Sequence, residues 1–449
     1  MDDQRPDTSV DRKEFLRRTG ALGIAGATAL GFPLLESRPV GAAPLLPPRD
    51  VIAAGGGATV KIGHIDSFSG VYAAASASQH HGMEVAVAER AKKNSRIKYD
   101  LIKGDDASVP ATGTTETKRL ISQEKVDVVT GGLSSAVGLA VSALCEENGV
   151  FFLAVGTHDT NITGPKANRV TFRQTCSNAM LANAVGPELL KHGKKWYFLV
   201  ANYAFGTDGA FRLKKILNAH GGEVVGEDLH PLGQTDYSSY LTKARNTDAD
   251  VLVFSNYGPD CINATKAAVQ LGLNKKMLFG GILCGNDVAV DLPVDDIVGS
   301  TWGYVWGPEA GGTAMQVYNA LKPGVNEVDW RQYCGYMAVK NIIDRLEHAG
   351  TTDTEKIVEA FEDYHYDAAK KQGAYFRKCD HQAIQETFAG MIVAKNKRRS
   401  PNEFFTIAST VGGEYAAEPC SNPDSAAATK IITSQKIPTR DGYTVTSLK

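Results

Sequence analysis

The chain has 449 residues, of which 43% are apolar and 22% charged, and its formal net charge is −2. That balance is typical of a soluble globular protein with two or three domains, and it excludes collagen-like, coiled-coil and wholly disordered chains. A net charge so close to zero provides no basic surface for nucleic acid or an anionic membrane, so we expect neither as a partner.

Residues 1–42 are predicted to be an export signal peptide. Basic residues up to position 18 precede an uncharged, Gly- and Ala-rich stretch at 20–35, and small residues follow that suit cleavage after Ala42. Residues 11–17 (DRKEFLR) resemble the twin-arginine export motif, with Lys13 at the second arginine position. No cysteine follows the apolar stretch to carry a lipid anchor, so we expect a soluble periplasmic protein.

Strands and helices alternate after a Pro-, Ala- and Gly-rich linker at residues 43–58, which is predicted to be disordered. The predicted strands are 60–65, 97–102, 126–130, 150–155, 170–172, 196–201, 223–227, 250–254 and 277–280. The predicted helices are 79–93, 111–123, 136–148, 179–191, 209–220, 237–245, 260–271, 329–348 and 354–361. A strand pair is expected near 374–377 and 388–394.

The order and composition of these elements predict an α/β fold. Short, continuously apolar strands that alternate with helices are typical of parallel sheets covered by helices on both faces. The segments 127–130 and 250–253 each follow an amphipathic helix and lead through a small-residue turn into another helix. Two similar α/β lobes are therefore predicted.

The usual signatures of catalytic, nucleotide and metal sites are missing from the sequence. It contains no phosphate-binding loop, no G-x-G-x-x-G, no H-E-x-x-H and no G-x-S-x-G. His80 and His81 point about 100° apart on a helix, so they cannot share a metal ion, and we interpret them as a solvated helix start. We predict neither an enzyme nor a cofactor or metal site.

Loops at the carboxyl ends of the predicted strands are the candidate ligand-binding segments, because open α/β sheets bind ligands there. In the first lobe these are 66–72, 131–135 and 156–161, which are rich in hydroxyl and amide groups. The helix start near Ala136 could hold a carboxylate through backbone N–H groups and serine hydroxyls, with plain helix capping by Ser135 as the alternative. Tyr203 and Tyr257 follow strands of the second lobe and could close over a ligand or serve only in packing.

The order of several motifs resembles the solute-binding proteins of the branched-chain amino acid type, the partners of ABC importers. The motifs are KIGHIDSFSG at 61–70, VVTGGLSSAVGLAVSALCEENGVFFLAVGT at 128–157, VTFRQTCSN at 170–178, NYAFGTDGA at 202–210 and YFRKCDHQ at 375–382. The resemblance covers residues 59 to 410.

The resemblance implies a type I periplasmic fold, in which two doubly wound parallel-sheet lobes are joined by a multi-strand hinge and close on a ligand. We expect residues 59–176 and 304–370 in one lobe and residues 177–303 and 371–449 in the other. The implied function is substrate binding for an ABC importer, by a monomer that meets permease subunits in the inner membrane. A ligand sensor of the same fold, signalling to a receptor or regulator, is the alternative.

The resemblance also implies a set of ligand-binding residues. Those expected to hold the polar head of the ligand are Ser134, Ser135, Thr157 and His158. Those expected to complete the site are Tyr203 and Tyr257 on the opposing wall, Ser69 and Tyr72 in the first loop, and Leu283 after strand 277–280.

One position departs from the family pattern. Amino-acid binders of this type place a glutamate just after the strand equivalent to 277–280, whereas this chain has Ile282. A buried ammonium without a carboxylate partner is costly, so an α-amino acid would need Asp260 or Asp287 instead, and Ile282→Glu is expected to supply the partner. Urea, short amides and aromatic carboxylates, which relatives take up, remain open as ligands.

Seven cysteines in an exported protein could include a disulfide. Cys379 and Cys420 lie 41 residues apart in the C-terminal tail, where little core is expected to hold the chain, and we predict that they are bonded. Two buried thiols are the alternative for this pair. Most of the other cysteines lie in apolar stretches and are expected to be core residues.

Overall fold

The computed structural model describes residues 58–93, 97–398, 400–401 and 403–420. The predicted signal peptide, the linker up to residue 57 and residues 421–449 lie outside the described residues. The strands are β1 Ala58–Asp66, β2 Ile97–Asp105, β3 Val128–Gly131, β4 Phe152–Ala154, β5 Thr171–Arg173, β6 Lys195–Ala201, β7 Glu223–His230, β8 Val251–Ser255, β9 Leu278–Gly281, β10 Thr301–Tyr304, β11 His365–Tyr366, β12 Ala374–Phe376, β13 Ala383–Ile384, β14 Thr387–Ile392 and β15 Phe405–Val411. The α-helices are α1 Ala73–Lys92, α2 Pro110–Ser122, α3 Ser135–Asn148, α4 Asn178–Leu190, α5 Ala204–Ala219, α6 Ser238–Arg245, α7 Pro259–Gln270, α8 Asn286–Ala289, α9 Ala314–Leu321, α10 Trp330–Ala349, α11 Thr354–Phe361 and α12 Gly413–Ala416.

The first lobe is built on a parallel sheet with strand order β2-β1-β3-β4-β5. Successive side chains of a strand point to opposite faces, so each central strand supplies two cores. Val128 and Leu153 belong to the same buried cluster as Met83 of α1. Val129 and Phe152 belong to a second cluster with Leu120 of α2. Both faces of the sheet are thus covered by helices, as the continuously apolar strands predicted.

The second lobe is built on a larger sheet with strand order β15-β14-β10-β9-β8-β6-β7. The strands from β6 to β10 run parallel, whereas β14 is antiparallel to β10 and β15 is antiparallel to β14. The prediction of an α/β fold with two sheet-based lobes is confirmed, with the addition of an antiparallel edge to the second sheet. Such an edge is common on a mostly parallel sheet.

Two expectations about the C-terminal third are wrong. The predicted strands at 374–377 and 388–394 do not pair with each other, because β12 pairs with β11 and β13 while β14 pairs with β10 and β15. Tyr304, which the expected boundaries gave to the first lobe, belongs to β10 of the second sheet. Strands of two residues, such as β11 and β13, have too little periodicity to be found from the sequence.

Cys379 and Cys420 are joined as a disulfide, with their Cα atoms 6.2 Å apart. The other five cysteines, which lie within the described residues, are free and buried: Cys145, Cys176, Cys261, Cys284 and Cys334. None of the helices in the described part of the chain combines the length and the apolar composition that crossing a membrane requires.

Candidate functional site

The loop between β3 and α3 approaches the carboxyl end of β1 closely, and glycine makes this approach possible. Gly131 and Gly132 have φ values of 118° and 73°, which residues with a side chain rarely adopt. A Cβ on Gly131 would also lie 2.1 Å from the carbonyl oxygen of Ile65. The turn therefore delivers Ser134 and Ser135 to the edge of the sheet where β1 ends.

Asp66, the last residue of β1, holds this loop in place through a hydrogen bond. Its Oδ1 accepts a hydrogen bond from the backbone N–H of Leu133 at 2.7 Å. Its Oδ2 accepts from Gln79 Nε2 at 2.6 Å and lies 2.7 Å from His64 Nε2. The loop thus rests on a buried polar network.

His80 belongs to the same network, so its interpretation as part of a solvated helix start is wrong. The residue is only 5% exposed, and its Nδ1 lies 2.9 Å from Nδ1 of His64. Burial, together with the neighbouring His64, lowers the pKa of His80 to about 3. The sequence did not reveal this position because α1 begins at Ala73, before the predicted start at residue 79.

Two of the predicted ligand-binding hydroxyls are used within the protein itself. Ser135 Oγ accepts from the backbone N–H groups of His158 and Asp159, both at 3.2 Å. Thr157 Oγ1 donates to the carbonyl oxygen of Gly132 at 2.6 Å. These bonds tie loop 156–161 to loop 131–135, so Ser135 and Thr157 position the site.

His158 and Ser134 each keep a polar atom that has no partner among the described residues. His158 Nδ1 donates to the carbonyl oxygen of Cys176 at 2.7 Å, which leaves Nε2 unpaired. Ser134 Oγ is also buried and unpaired. Burial, reinforced by the charge of Arg331, lowers the pKa of His158 well below its usual range, so the ring is neutral and Nε2 can accept a hydrogen bond.

Arg331 supplies the third unpaired group and was not predicted from the sequence. It lies in the first turn of α10, where Asp329 and Gln332 form a capping box. Its guanidinium carbon lies 3.8 Å from the ring centroid of Trp330 and 4.5 Å from that of Tyr257, while its Nη1 is buried without a partner among the described residues.

The close packing of Gly156 shows where this guanidinium lies. A Cβ on Gly156 would be 2.5 Å from Leu133 Cα and 3.0 Å from Arg331 Nη1. Arg331 therefore lies beside the loop that carries Ser134. Leaving a buried polar group unpaired costs about 1–3 kcal/mol, so polar atoms of a ligand are expected here.

Six aromatic side chains form a closed circuit next to these polar atoms, which we call the aromatic cage. In order around the circuit they are Tyr72, Tyr257, Trp330, His158, Phe205 and Tyr203. In five of the six pairs of neighbouring rings, the two ring centroids lie 5.6–6.0 Å apart. The circuit closes where the hydroxyl oxygens of Tyr72 and Tyr203 lie 2.5 Å apart. Both lobes contribute, so the cage lies in the cleft between them.

Asp287 supports two members of the cage. Its Oδ1 accepts from Trp330 Nε1 at 2.9 Å, and its Oδ2 accepts from the hydroxyl of Tyr257. Burial and the nearby charge of Asp329 raise the pKa of Asp287 to about 6. Tyr257 OH also accepts a hydrogen bond from Arg331 Nε at 3.0 Å, which links the guanidinium to the carboxylate.

A cavity of about 390 Å³ adjoins the cage, and its lining includes Tyr72 and Tyr257 of the cage together with Asp287. Its lining also includes the carboxylates of Asp329 and Glu327. Pockets for small molecules typically have volumes of a few hundred Å³, so the cleft has space for a ligand of that size.

The remaining sequence-predicted residues lie elsewhere or pack differently. Ser69 is exposed, and its backbone N–H donates to Asp105 at 3.1 Å. Leu283 is buried in the main hydrophobic cluster. Tyr257 is only 2% exposed and packs among the rings of the cage.

The two other positions considered for an ammonium partner, Asp260 and Ile282, have the following contacts within the protein. Asp260 accepts from the backbone N–H of Gly233 at 3.0 Å. The side chain of Ile282 is fully buried against Gly209. Ile282→Glu would place a charge at this fully buried position in the second lobe, where a carboxylate without a partner is costly.

Comparison with known proteins supports the architecture of this cleft. A family model described as periplasmic binding protein matches residues 59–397. The Leu/Ile/Val-binding protein homolog 2 of Brucella abortus (strain 2308) is 22% identical over 311 residues, covering 68% of this chain and 83% of that protein.

Two solved structures are similar along most of their length. A periplasmic binding protein from Burkholderia mallei has a TM-score of 0.77 and 24% identity, covering 81% of this chain and 99% of that chain. The second is a solute-binding protein of an ABC transporter from Rhodopseudomonas palustris BisB5, in complex with 3,4-dihydroxybenzoic acid. It has a TM-score of 0.72 and 18% identity, and the match covers 82% of this chain and 99% of that chain. The type I periplasmic fold is confirmed, and the chain belongs to the periplasmic binding protein family.

Proposed function

We propose that this protein captures a small aromatic carboxylate in the periplasm and delivers it to an ABC importer. One observation carries the ligand class: a closed circuit of six aromatic rings lies beside three buried polar atoms that have no partner among the described residues, one of them on a guanidinium. Family membership supports solute capture.

The polar atoms favour a carboxylate as the head group of the ligand. Arg331 Nη1 can only donate, and a carboxylate is the acceptor that guanidinium groups bind best. Ser134 Oγ can donate to the second carboxylate oxygen. Urea and short amides offer one carbonyl oxygen and no negative charge, so they would satisfy this pair less well.

The cage favours an aromatic body. Flat aromatic ligands fit between aromatic side chains and bury a large apolar area, and such contacts contribute about 0.5–1.5 kcal/mol per ring pair beyond the burial itself. The related Rhodopseudomonas palustris protein, whose structure contains 3,4-dihydroxybenzoic acid, supports the same ligand class.

His158 favours ligands that carry a hydrogen-bond donor. Its Nε2 is an acceptor in the neutral ring, and it has no partner among the described residues. A hydroxyl on the aromatic ring could donate to it. Hydroxylated benzoates are therefore expected to bind more tightly than benzoate itself.

An amino acid is the second candidate, and one observation favours it. Asp287 places a carboxylate at the cleft, where an ammonium could bind, and the Brucella abortus relative is named a Leu/Ile/Val-binding protein homolog. Against it, both Asp287 oxygens already accept hydrogen bonds from Tyr257 and Trp330.

A thermal-shift panel of benzoate, hydroxybenzoates, branched-chain amino acids, acetamide and urea tests the proposal. Ligand at 100 times its Kd stabilises a protein by about 2.7 kcal/mol, so a true ligand gives a clear upward shift. We expect benzoate and hydroxybenzoates to stabilise the protein. Stabilisation by leucine or valine alone would instead establish the amino-acid alternative.

A further inference from the structure

Asp287 and Asp329 are partly buried and, with the buried Arg331, form a network of charged groups next to the cage. From the start of α10, Asp329, Trp330 and Arg331 face it, and Tyr257 faces it from the loop before α7. Cys284 faces it from its own loop, and burial raises the pKa of that thiol well above its usual range, so the thiol is neutral. Two further carboxylates line the same cavity: Glu327 is paired with Lys322 at 3.7 Å, and Asp291 is exposed. The charges that bear on the ligand therefore come from Asp287, Asp329 and Arg331.

These three charges do not cancel when a carboxylate ligand is added. With both aspartates ionised, the network carries one positive and two negative charges. A ligand carboxylate at Arg331 Nη1 would bring the sum to minus two in a buried region. Uncompensated buried charge is strongly unfavourable, and a carboxyl group in that position takes up a proton instead.

The hydrogen bonds indicate which aspartate takes up the proton. Asp329 accepts from Ser78 Oγ at 2.5 Å and from the backbone N–H groups of Arg331 and Gln332 at 2.8 and 3.0 Å. Three donors, two of them backbone groups at a helix start, stabilise its ionised form. Among the described residues, Asp287 accepts only from the side chains of Tyr257 and Trp330, and the Tyr257 hydroxyl can reverse its role.

We infer that an aromatic carboxylate enters the site together with one proton, which Asp287 takes up. The protonation state of Asp287 thereby determines whether the site binds an anionic ligand or one with a positive charge. The inference rests on the proposed function. The acid form of the buffer gives up the proton, which forms an O–H bond on Asp287 Oδ2, and no other bond is made or broken. Protonated Asp287 donates to the Tyr257 oxygen, which frees the Tyr257 hydroxyl hydrogen to turn towards the ligand carboxylate. Ionised Asp287 would instead favour a ligand that carries its own positive charge.

The sign of the pH dependence follows from this step. If binding takes up a proton, affinity is highest below the pKa of Asp287 in the ligand-free protein. Affinity then falls by up to about tenfold for each pH unit above that pKa. Capture would therefore be stronger in acidic surroundings.

Titration calorimetry with benzoate tests the inference, because benzoate remains ionised across the range used. The wild-type protein is titrated between about pH 6 and about pH 8 in phosphate and in Tris, whose different ionisation heats reveal protons taken up on binding. Asp287→Asn imitates the protonated side chain, and Asp287→Glu retains a titratable group. Asp296→Asn, at an exposed carboxyl, is the matched control.

We expect proton uptake and a falling affinity with pH in the wild-type protein, Asp287→Glu and Asp296→Asn, and neither effect in Asp287→Asn. Binding heats that do not depend on the buffer in the wild-type protein would overturn the inference, even if no variant folds. Proton uptake that persists in Asp287→Asn would overturn it as well. A failure of benzoate and hydroxybenzoates to bind at all would contradict the proposed function, which is a distinct outcome.

Discussion

Ser134 and Ser135 are adjacent in the chain, but they have different hydrogen bonds. Ser135 Oγ accepts from two backbone N–H groups of the neighbouring loop, whereas Ser134 Oγ is buried without a partner among the described residues. The sequence indicated that both serines lie at a helix start near the ligand. It could not separate a hydroxyl that holds the loop from one that is free for the ligand, because that depends on where loop 156–161 lies.

The two serines therefore give a matched pair of substitutions. Ser134→Ala should leave the thermal stability of the ligand-free protein unchanged and weaken aromatic carboxylate binding by about 2- to 13-fold, the value of one hydrogen bond. Ser135→Ala leaves the N–H groups of His158 and Asp159 unpaired and should lower the free energy of unfolding by about 1–3 kcal/mol. Thermal unfolding and calorimetry on both variants would test this, and equal effects of the two changes would contradict the assignment.

Arg331 is expected to be the residue on which affinity depends most. Lysine retains the charge, but it lacks the planar guanidinium whose Nε donates to Tyr257 while Nη1 donates to a carboxylate. Arg331→Lys should therefore weaken benzoate binding by about 10- to 150-fold, and Arg331→Gln at least as much. Calorimetry against the wild-type protein measures this, and full affinity in either variant would show that the guanidinium does not bind the ligand.

A sequence signal for Arg331 was present but was not used. A positive charge in the first turn of a helix opposes the helix dipole, so an arginine there needs another reason. Arg331 follows the cap residue Asp329 by two positions and has such a reason in its contacts with Tyr257 and Trp330. Its proximity to Ser134 could not be read from the sequence, because almost two hundred residues separate them.

Among the elements, the helices and parallel strands of the two lobes were predictable and the connections near the C-terminus were not. Strands such as β3, β6 and β8 have an apolar run that the sequence shows, whereas β11 and β13 have only two residues each and give no pattern. The pairing of β14 with β10 and β15 depends on contacts between distant segments. The sequence therefore predicted strands that are long enough to show an apolar run, but not the pairing of segments that lie far apart along the chain.

The disulfide Cys379–Cys420 gives a prediction about the last described elements, β15 and α12. Closing a loop of 41 residues stabilises by about 4 kcal/mol in the chain-entropy model. Replacing both cysteines with alanine should lower the free energy of urea unfolding by about that amount, and a reducing agent should then have no further effect on the variant. Peptide mapping that finds both thiols free in unreduced protein would contradict the bond.

At the scale of the whole molecule, the two lobes are in contact across the cleft. Tyr72 of the first lobe meets Tyr203 of the second, and Asp208 of α5 accepts from the backbone and hydroxyl of Thr160 at 2.8 and 2.9 Å. A ligand inside the cage would therefore be enclosed by both lobes, and lobe separation would be needed to admit it. The sequence predicted two lobes and a cleft, but the closed aromatic circuit depends on the lobe arrangement, which only the structure provides.

The central claim is that an aromatic carboxylate binds inside the cage with its head group on Arg331 and Ser134. A crystal structure of the protein with bound benzoate tests it most directly. We expect the benzoate ring among the six aromatic side chains and a carboxylate oxygen within hydrogen-bond distance of Arg331 Nη1 and of Ser134 Oγ. Benzoate found in the adjoining acidic cavity alone, or with its carboxylate directed away from Arg331, would contradict the account.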